Sequence, residues 1–505
     1  MIMLSIDEMF KFCKKKGFVF PNSEIYGGLA GVFDYGPLGV EVNNNIKQSW
    51  WKTFVQDRED VVGIDGSILA NPKVWEASGH VEGFEDVLVE CKKCHERFRA
   101  DLLIEDVLKI QADGLKAPAI DKLVKENKIK CQKCKGELDK ASQFNLMFQT
   151  FIGPKPTKES VAYLRPETAQ MIFANFRAVT DVSRLKLPFG IAQVGKAFRN
   201  EISPRNFLFR VREFEQMELE YFIRPKQKCP YIKEAEKYKI LIYSADMQEK
   251  KKDPKEMTIK DALKNKIIKA DWHAYWLASC HKWFIDLGVN PKNLRARQHK
   301  KDELAHYSSD CWDLEYNFPF GWKELEGIAD RSDFDLQQHA KHSKKDMSIF
   351  DEETKEKVVP HVVAEPSLGV GRAFLVFMYD AYTEDKKRDN VVLKLNPNLA
   401  PLNVAVFPLL SNKPEIIKKA QEVYAMLKGC YRASFDKSGS IGKRYARNDE
   451  IGTPYCVTID FDSLEKDDVT IRDRDTTEQK RVKIKDLSNI LYQLLTGMIE
   501  FKDVK

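Results

Sequence analysis

Two long runs in which polar and apolar residues alternate, Phe189–Glu201 and Phe209–Ile223, are separated only by the polar loop Ile202–Leu208. Alternation with period two is the mark of a strand, and two such runs joined by a short loop pair antiparallel. A third alternating run, His361–Ala364, extends the expectation to an antiparallel sheet. The same period sets the faces: Arg199 and Glu201 share one on the first strand, and Arg212, Phe214, Gln216 and Glu218 share one on the second. Guanidinium, carboxylate and aromatic ring would then meet on one surface. Such a surface suits a nucleotide, because arginine holds phosphate bidentately, a ring stacks on a base and a carboxylate accepts from an exocyclic amine. A row of cross-strand salt bridges is the other reading of the same pattern.

A second local signal lies in Ala364-Glu-Pro-Ser-Leu-Gly-Val-Gly-Arg372, followed by Ala373, Phe374, Phe377, Met378 and Ala381 at helical spacing. Here a strand turns sharply into a helix whose amino end carries Gly369, Gly371 and Arg372. Backbone N–H groups and a cation at a helix start favour phosphate. The run is neither a Walker loop nor a dinucleotide fingerprint, and its glycines could also serve only to close a tight turn.

The 505 residues leave room for roughly three domains of ~150 residues. Hydrophobic residues make up 43% of the chain, with 25 Gly and 21 Pro, a composition of folded rather than disordered or collagen-like protein. Balancing 82 basic against 76 acidic side chains leaves only +6, too little to coat duplex DNA indiscriminately. A locally basic groove for RNA stays open. No run approaches eighteen apolar residues and the amino terminus lacks a secretory pattern, so a cytoplasmic protein without membrane partners is expected.

The sharpest break is Leu395-Asn-Pro-Asn-Leu-Ala-Pro401, which divides a catalytic portion, 1–400, from a small α/β domain, 401–505. In the latter, Asn403–Pro408 reads as a buried strand. A helix follows over Pro414–Lys428, with Pro414 in its first turn and Gly429 at its end. Further strands are expected at 431–435, 455–461, 469–474 and 481–484, before a helix bearing Leu487, Leu491 and Leu494. Upstream, Ile46, Trp50, Phe54 and Val55 mark an early amphipathic helix. The lysine-rich stretch 225–301 shows no part in the central sheet and reads as a mostly helical insertion.

Four of the ten cysteines fall as Cys91-x2-Cys94 and Cys131-x2-Cys134, and the rest are scattered, so a disulfide framework is not expected. Two such knuckles can present four thiolates to one tetrahedral Zn2+, with Gly136 where backbone crowding demands a small residue. Four buried free thiols are the alternative. The spacer Asp101–Lys128 looks helical, so the ion would clamp an insertion at about 88–140, and four protein ligands leave no open position for catalysis. His80 invites a general-base reading, but a histidine satisfied by backbone hydrogen bonds is the simpler one.

Taken in order, these segments resemble the three signature motifs of class II aminoacyl-tRNA synthetases, and the wording is similar to that of the dimeric glycyl-tRNA synthetases. The resemblance runs through Phe33-Asp-Tyr-Gly-Pro-Leu-Gly39, the helix and strand ending at Asn71-Pro72, Phe144-Asn-Leu-Met-Phe148 and Leu164-Arg-Pro-Glu-Thr-Ala-Gln170. It continues through Arg199-Asn-Glu201, Glu324-Leu-Glu-Gly-Ile-Ala-Asp-Arg331, Glu365–Arg372, Ile441-Gly-Lys-Arg-Tyr445 and Asp449–Pro454. It implies an α+β fold: an antiparallel-sheet catalytic domain with a zinc-knuckle insertion, and a C-terminal α/β anticodon-binding domain. The activity it implies has two steps. Glycine's carboxylate attacks the α-phosphorus of ATP and releases pyrophosphate, and the terminal ribose hydroxyl of tRNA(Gly) then takes glycine from the adenylate. Motif 1 implies a homodimer, although Trp50 and Trp51 could as well be intrachain core.

The resemblance also implies residue roles. Arg199 would grip the α-phosphate and Arg372 the γ-phosphate, the two catalytic contacts, while Glu201 meets the adenine amine and Phe214 its ring. Asn200, Phe209, Arg210, Val211, Arg212, Glu213, Leu325, Gly369, Val370 and Gly371 would complete the ATP cradle, and Glu324 would hold Mg2+. Glu167, Glu218, Glu365 and Ser367 are implied around glycine's amino group, with Arg99 or Arg331 facing its carboxylate. Phe214, Glu215, Gln216, Met217, Pro366, Leu368 and Gly369 would flank that pocket. Two rivals stand beside this reading: a synthetase for another small amino acid, and a non-catalytic tRNA-binding relative.

Overall fold

The computed structural model describes residues 4–110, 112, 114–305 and 307–504. Its centre is a nine-stranded sheet built from β1 (Val61–Ile64), β2 (Phe189–Phe198), β3 (Glu213–Ile223), β4 (Lys239–Tyr243), β5 (Lys255–Thr258), β6 (Leu294–Gln298), β7 (Asp310–Phe318), β8 (Gly321–Asp330) and β9 (His361–Gly369). Across the sheet the order is β5-β4-β6-β7-β8-β9-β3-β2-β1. Only β1 with β2 and β4 with β6 run parallel. The expected antiparallel pair is β2 and β3, in continuous register from Phe198 opposite Glu213 to Phe189 opposite Phe222.

One face of the sheet is sealed by three helices: α1 (Pro37–Trp51), α2 (Asp271–Asp286) and α3 (Val370–Ala381). Proline in the first turn of α1 costs no hydrogen bond, because that N–H has no intrahelical partner. Trp50 of α1, Trp272, Trp276 and Phe284 of α2, and Phe374 and Met378 of α3 join Met217, Leu219, Leu314 and Leu368 in one core. Trp50 is therefore intrachain core. On the opposite face, helix Ala169–Ser183 sets Phe173 and Phe176 on Phe189, Ile191 and Phe222. It covers the carboxyl half of β3, while Phe214 and Gln216 of the other half line a cleft.

The regular structure of the stretch 225–301 is mostly helical, as expected, but the stretch is not separate from the central sheet. It supplies β4, β5 and β6, the far edge of the central sheet, as well as the buried helix α2. The lysines hid this: they fill the turn between β4 and β5 and the solvent side of two short strands, and only Ile240 and Ile242 of β4 reach the core. A charged, short edge strand such as β5 also deters pairing with another chain.

The cysteine-bearing insertion forms a three-stranded sheet, Arg97–Arg99, Glu85–Glu90 and Ser142–Asn145, with helices Ala100–Leu108 and Ala117–Glu126 over a small core of Val89, Leu103, Ile104 and Ile120. Toward the carboxyl terminus a five-stranded sheet runs in the order Ala433–Phe435, Val404–Pro408, Tyr455–Ile459, Asp468–Asp473 and Gln479–Lys483. Helices Pro414–Lys428 and Ile484–Leu495 bury Ile416, Val423, Leu487 and Leu491 against it. Among the described residues no helix is long and apolar enough to cross a membrane.

Candidate active site

The open half of β3, the ends of β8 and β9 and the loop between β2 and β3 enclose a cleft of about 350 Å³. Arg99, Arg199, Glu201, Phe209, Arg210, Val211, Phe214, Gln216, Glu324, Leu325, Ser367, Gly369, Gly371 and Arg372 all line it. Strand β2 ends at Phe198 and β3 begins at Glu213. Arg199, Glu201 and Arg212 thus lie on the connecting loop and not on strand faces, and Phe207–Phe209 is a single 3-10 turn. The loop breaks the alternation early because Glu201 bonds within it, accepting Arg210 Nε at 2.6 Å on its side chain and Arg212 Nε at 3.1 Å on its backbone oxygen.

The mouth is cationic. Arg199 donates from Nε to Pro166 O at 3.0 Å and sits between the rings of Phe84 and Phe214, 5.4 Å from each centroid. Arg372, in the first turn of α3, lies 4.7 Å from the Phe209 centroid and donates from Nη1 to Glu324 Oε1 at 2.9 Å. That guanidinium holds the half-exposed Glu324 carboxyl below its usual range despite the opposing desolvation. Gly371 keeps α3 close to the loop, since a Cβ there would stand 3.2 Å from Leu208 O.

Deeper in, the floor is acidic. Glu218 is 2% exposed and accepts from Thr168 N at 3.0 Å and Ser367 Oγ at 2.6 Å. Burial and the neighbouring Glu167 push its carboxyl up. Glu167 behaves oppositely: burial raises it, but His80, Arg331 and Arg199 together pull it well down. Glu365 is pushed up to about 8 by burial, against the pull of Arg331. Cations at the rim and carboxylates beneath can hold a polyanion and an ammonium group in one cleft.

Several expected residues lie elsewhere. Asn200 donates its backbone N–H to Leu146 O at 2.8 Å, outside the cleft lining. Arg212 braces the loop by donating from Nη1 to Ala30 O at 2.7 Å. Glu213 pairs with Lys196, and Glu215 accepts from Asn43 at 2.6 Å and Lys47 at 2.8 Å of α1. Met217, Leu368 and Val370 are buried in the helix-side core, and Pro366 alternates with Glu365 and Ser367 onto that same side. Contiguous runs cannot line one pocket, because successive strand residues face opposite ways. Arg331 lies outside the cleft lining. It is 2% exposed, its Nε and Nη2 grip Asp335 at 2.7 and 2.8 Å, its Nη1 reaches Glu365 at 2.8 Å, and Tyr307 covers it with a centroid at 3.9 Å.

The fold brings to the site further residues to which the sequence assigned no role there. His80 is held by side chains and not by backbone, with Nδ1 2.8 Å from Ser78 Oγ and Nε2 3.3 Å from Glu167. Phe84 covers Arg199, and Thr168 caps Glu218. His299 and Asp313 are 2.7 Å apart beside Cys311, three donor groups within 4.8 Å of one another, and burial pushes Asp313 up to about 6.

The four cysteines converge. Cys91 Sγ is 3.5 Å from Cys134 Sγ, Cys94 Sγ is 3.6 Å from Cys131 Sγ, and all four sulfurs lie within 4.8 Å of one another. A Cβ at Gly136 would stand 3.1 Å from Cys91 Sγ and 3.2 Å from Cys134 Sγ. The Cys94 backbone N–H draws the Cys91 thiol down to about 6 against the upward push of desolvation. A closed set of four soft donors fits a tetrahedral metal ion.

Residues 154–380 match the family model of the tRNA synthetase class II core domain (G, H, P, S and T), and residues 403–494 match that of the anticodon binding domain. A solved structure of prolyl-tRNA synthetase from Cryptosporidium parvum, complexed with halofuginone and AMPPNP, superposes with a TM-score of 0.58 at 14% identity, covering 97% of this chain and 75% of that one, a likeness of fold. Fold and cleft together define a class II tRNA synthetase. Glycine--tRNA ligase of Caldanaerobacter subterraneus subsp. tengcongensis is 47% identical over 98% of this chain and 99% of its own length. The enzyme of that name from Clostridium beijerinckii is 47% identical over 96% and 98%, and that from Bacillus cereus 45% over 97% and 99%. The chain belongs to the glycine--tRNA ligase family.

Proposed function

We propose that this chain activates glycine with ATP and transfers it to the 3′ end of tRNA(Gly). The observation that carries the reading is an arginine-lined cleft with buried carboxylates directly behind its Gln216 and Ser367, a site for triphosphate in front and ammonium behind. Neither step needs a covalent enzyme intermediate, so the residues act by alignment and by neutralising charge. Arg199 and Arg372 take the α- and γ-phosphates, Phe214 the adenine ring, and Glu201 its amine. Glu324 is the residue that would hold Mg2+, whose charge would offset that of the phosphates.

Glu167, Glu218 and Ser367 receive glycine's ammonium, and Arg99 on the cleft wall is the cation for its carboxylate. Arg331 acts at one remove, by holding Glu365. A pocket that discriminates by added contacts gains only ~1–3 kcal/mol per methylene, whereas filling the space beside the α-carbon rejects larger amino acids by overlap. The unit over 401–505 reads the anticodon, the four cysteines hold a structural Zn2+, and the setting is the cytoplasm. A second copy would sit on the open groove formed by Lys47, Trp51, Gln56, Ile64 and Val194, giving a homodimer.

Glycine-dependent ATP–pyrophosphate exchange tests this. Exchange is expected with glycine and not with alanine or serine, and Arg199→Ala should lower it at least 100-fold. Exchange with a different amino acid, or none from a folded protein, would reject the proposal.

A further inference from the structure

The cysteine centre and the nucleotide cleft are joined by one short hairpin. Strand Glu85–Glu90 begins beside the cleft at Asp86 and runs directly into Cys91, and its partner Arg97–Arg99 returns from Cys94 to Arg99 in the cleft wall. Five residues of extended chain span about 16 Å. At the far end backbone bonds tie the hairpin to both knuckles. The N–H of Cys91 donates to Glu96 O at 2.9 Å, that of Lys92 to Glu137 O at 2.9 Å, and that of Asp139 to Glu90 O at 2.7 Å, so both knuckles are stitched together.

At the near end Asp86 lies between two arginines of the cleft. Its Oδ2 is 3.1 Å from Arg99 Nη1 and 3.6 Å from Arg210 Nη2. Arg99 belongs to the insertion and also grips Asp101, while Arg210 belongs to the loop of the catalytic sheet and holds Glu201 at 2.6 Å. Two guanidinium groups on one cleft wall repel unless an anion lies between them. Asp86 is mostly buried, at 13% side-chain exposure, so solvent screens that interaction only weakly.

We propose that Asp86 is a positioning residue that couples the four-cysteine centre to the nucleotide cleft, fixing Arg99 and Arg210, and through Arg210 the carboxylate of Glu201. This rests on the nucleotide reading given above. A metal ion at the cysteines locks the hairpin register, the register places Asp86, and Asp86 sets the wall against which the base lies. Coupling of this kind is reciprocal: whatever the metal centre does for ATP, ATP must do for the metal centre.

Two measurements on full-length protein test it, after wild type has shown glycine-dependent exchange. First, Asp86→Asn should raise KM for ATP about tenfold with kcat changed less than about threefold, and Asp86→Glu should restore most of the loss. Second, zinc transfer to a coloured chelator should slow at least threefold when ATP is added to wild type, and ATP should have no such effect on Asp86→Asn. Should that variant not fold by circular dichroism, Arg210→Lys carries the zinc-transfer expectation in its place. An unchanged KM in Asp86→Asn, zinc loss indifferent to ATP in wild type, or less than about half an equivalent of zinc in the purified protein overturns the coupling. Failure of wild-type exchange strikes the nucleotide reading instead.

Discussion

Glu326 is wholly enclosed on the helix side of β8, with Oε2 unpartnered and Cys280 as the thiol beside it. Burial pushes its carboxyl from 4.5 up to about 8. A folded-state value above the unfolded one means that the native protein binds the proton more tightly. The stabilising contribution is therefore complete below about 4.5 and is lost as pH rises toward about 8. Glu326→Gln, which copies the protonated shape, should match wild type near pH 4.5 and exceed it by about 1–3 kcal/mol near pH 8 in urea titrations. A constant difference across that range would contradict the assignment. In the sequence Glu324 and Glu326 are indistinguishable neighbours of one motif. The register against β7 skips Leu325, lying between them, and one carboxylate reaches Arg372 while the other is sealed in the core.

At the scale of elements, the Cys-x2-Cys spacing was legible because a metal ion demands donor types and distances that sequence displays directly. Gly136 follows from the same demand. With Lys93 Cβ only 2.9 Å from the position of an added Cβ and two sulfurs nearly as close, Gly136→Ala must displace the second knuckle. Zinc affinity in chelator competition should fall at least tenfold, while the central sheet keeps its circular dichroism. The β2–β3 pair was legible for a similar local reason, since ten consecutive register pairs leave a long periodic trace. Strands β4 and β5 left almost none. Each is five residues or fewer, at or next to a sheet edge where only one face is apolar.

At the scale of the whole molecule, a buried charge cluster links the carboxyl-terminal sheet to the rest of the chain. Asp449, 2% exposed, accepts two bonds from Arg472 at 2.8 and 2.9 Å and one at 3.1 Å from Arg388, which lies in the turn after strand Tyr382–Asp385. Arg474 clamps the chain crossing by donating to Gly452 O at 2.8 Å and Leu395 O at 2.9 Å. Removing one partner of a buried pair strands the others, at a cost of about 3–5 kcal/mol. Asp449→Asn should split the calorimetric transition in two and raise KM for tRNA in aminoacylation. Pyrophosphate exchange, which uses only the cleft, should stay within about twofold of wild type. A single unsplit transition with unchanged charging would show that the cluster does not set how the two sheets are joined.

The linear chain by itself determined what depends on near neighbours: the strand pair of the cleft, the turn into α3, the thiol knuckles and the order of motifs. Those features arise from periodicity and spacing, which are properties of adjacent residues. Only tertiary structure decided which face each side chain took, and so removed Met217, Leu368 and Val370 from the pocket and brought His80, Phe84 and Asp86 to it. It also closed Arg331 between Asp335 and Glu365. Electrostatic pairing and burial depend on distances through space between residues remote in sequence, and no local pattern encodes them.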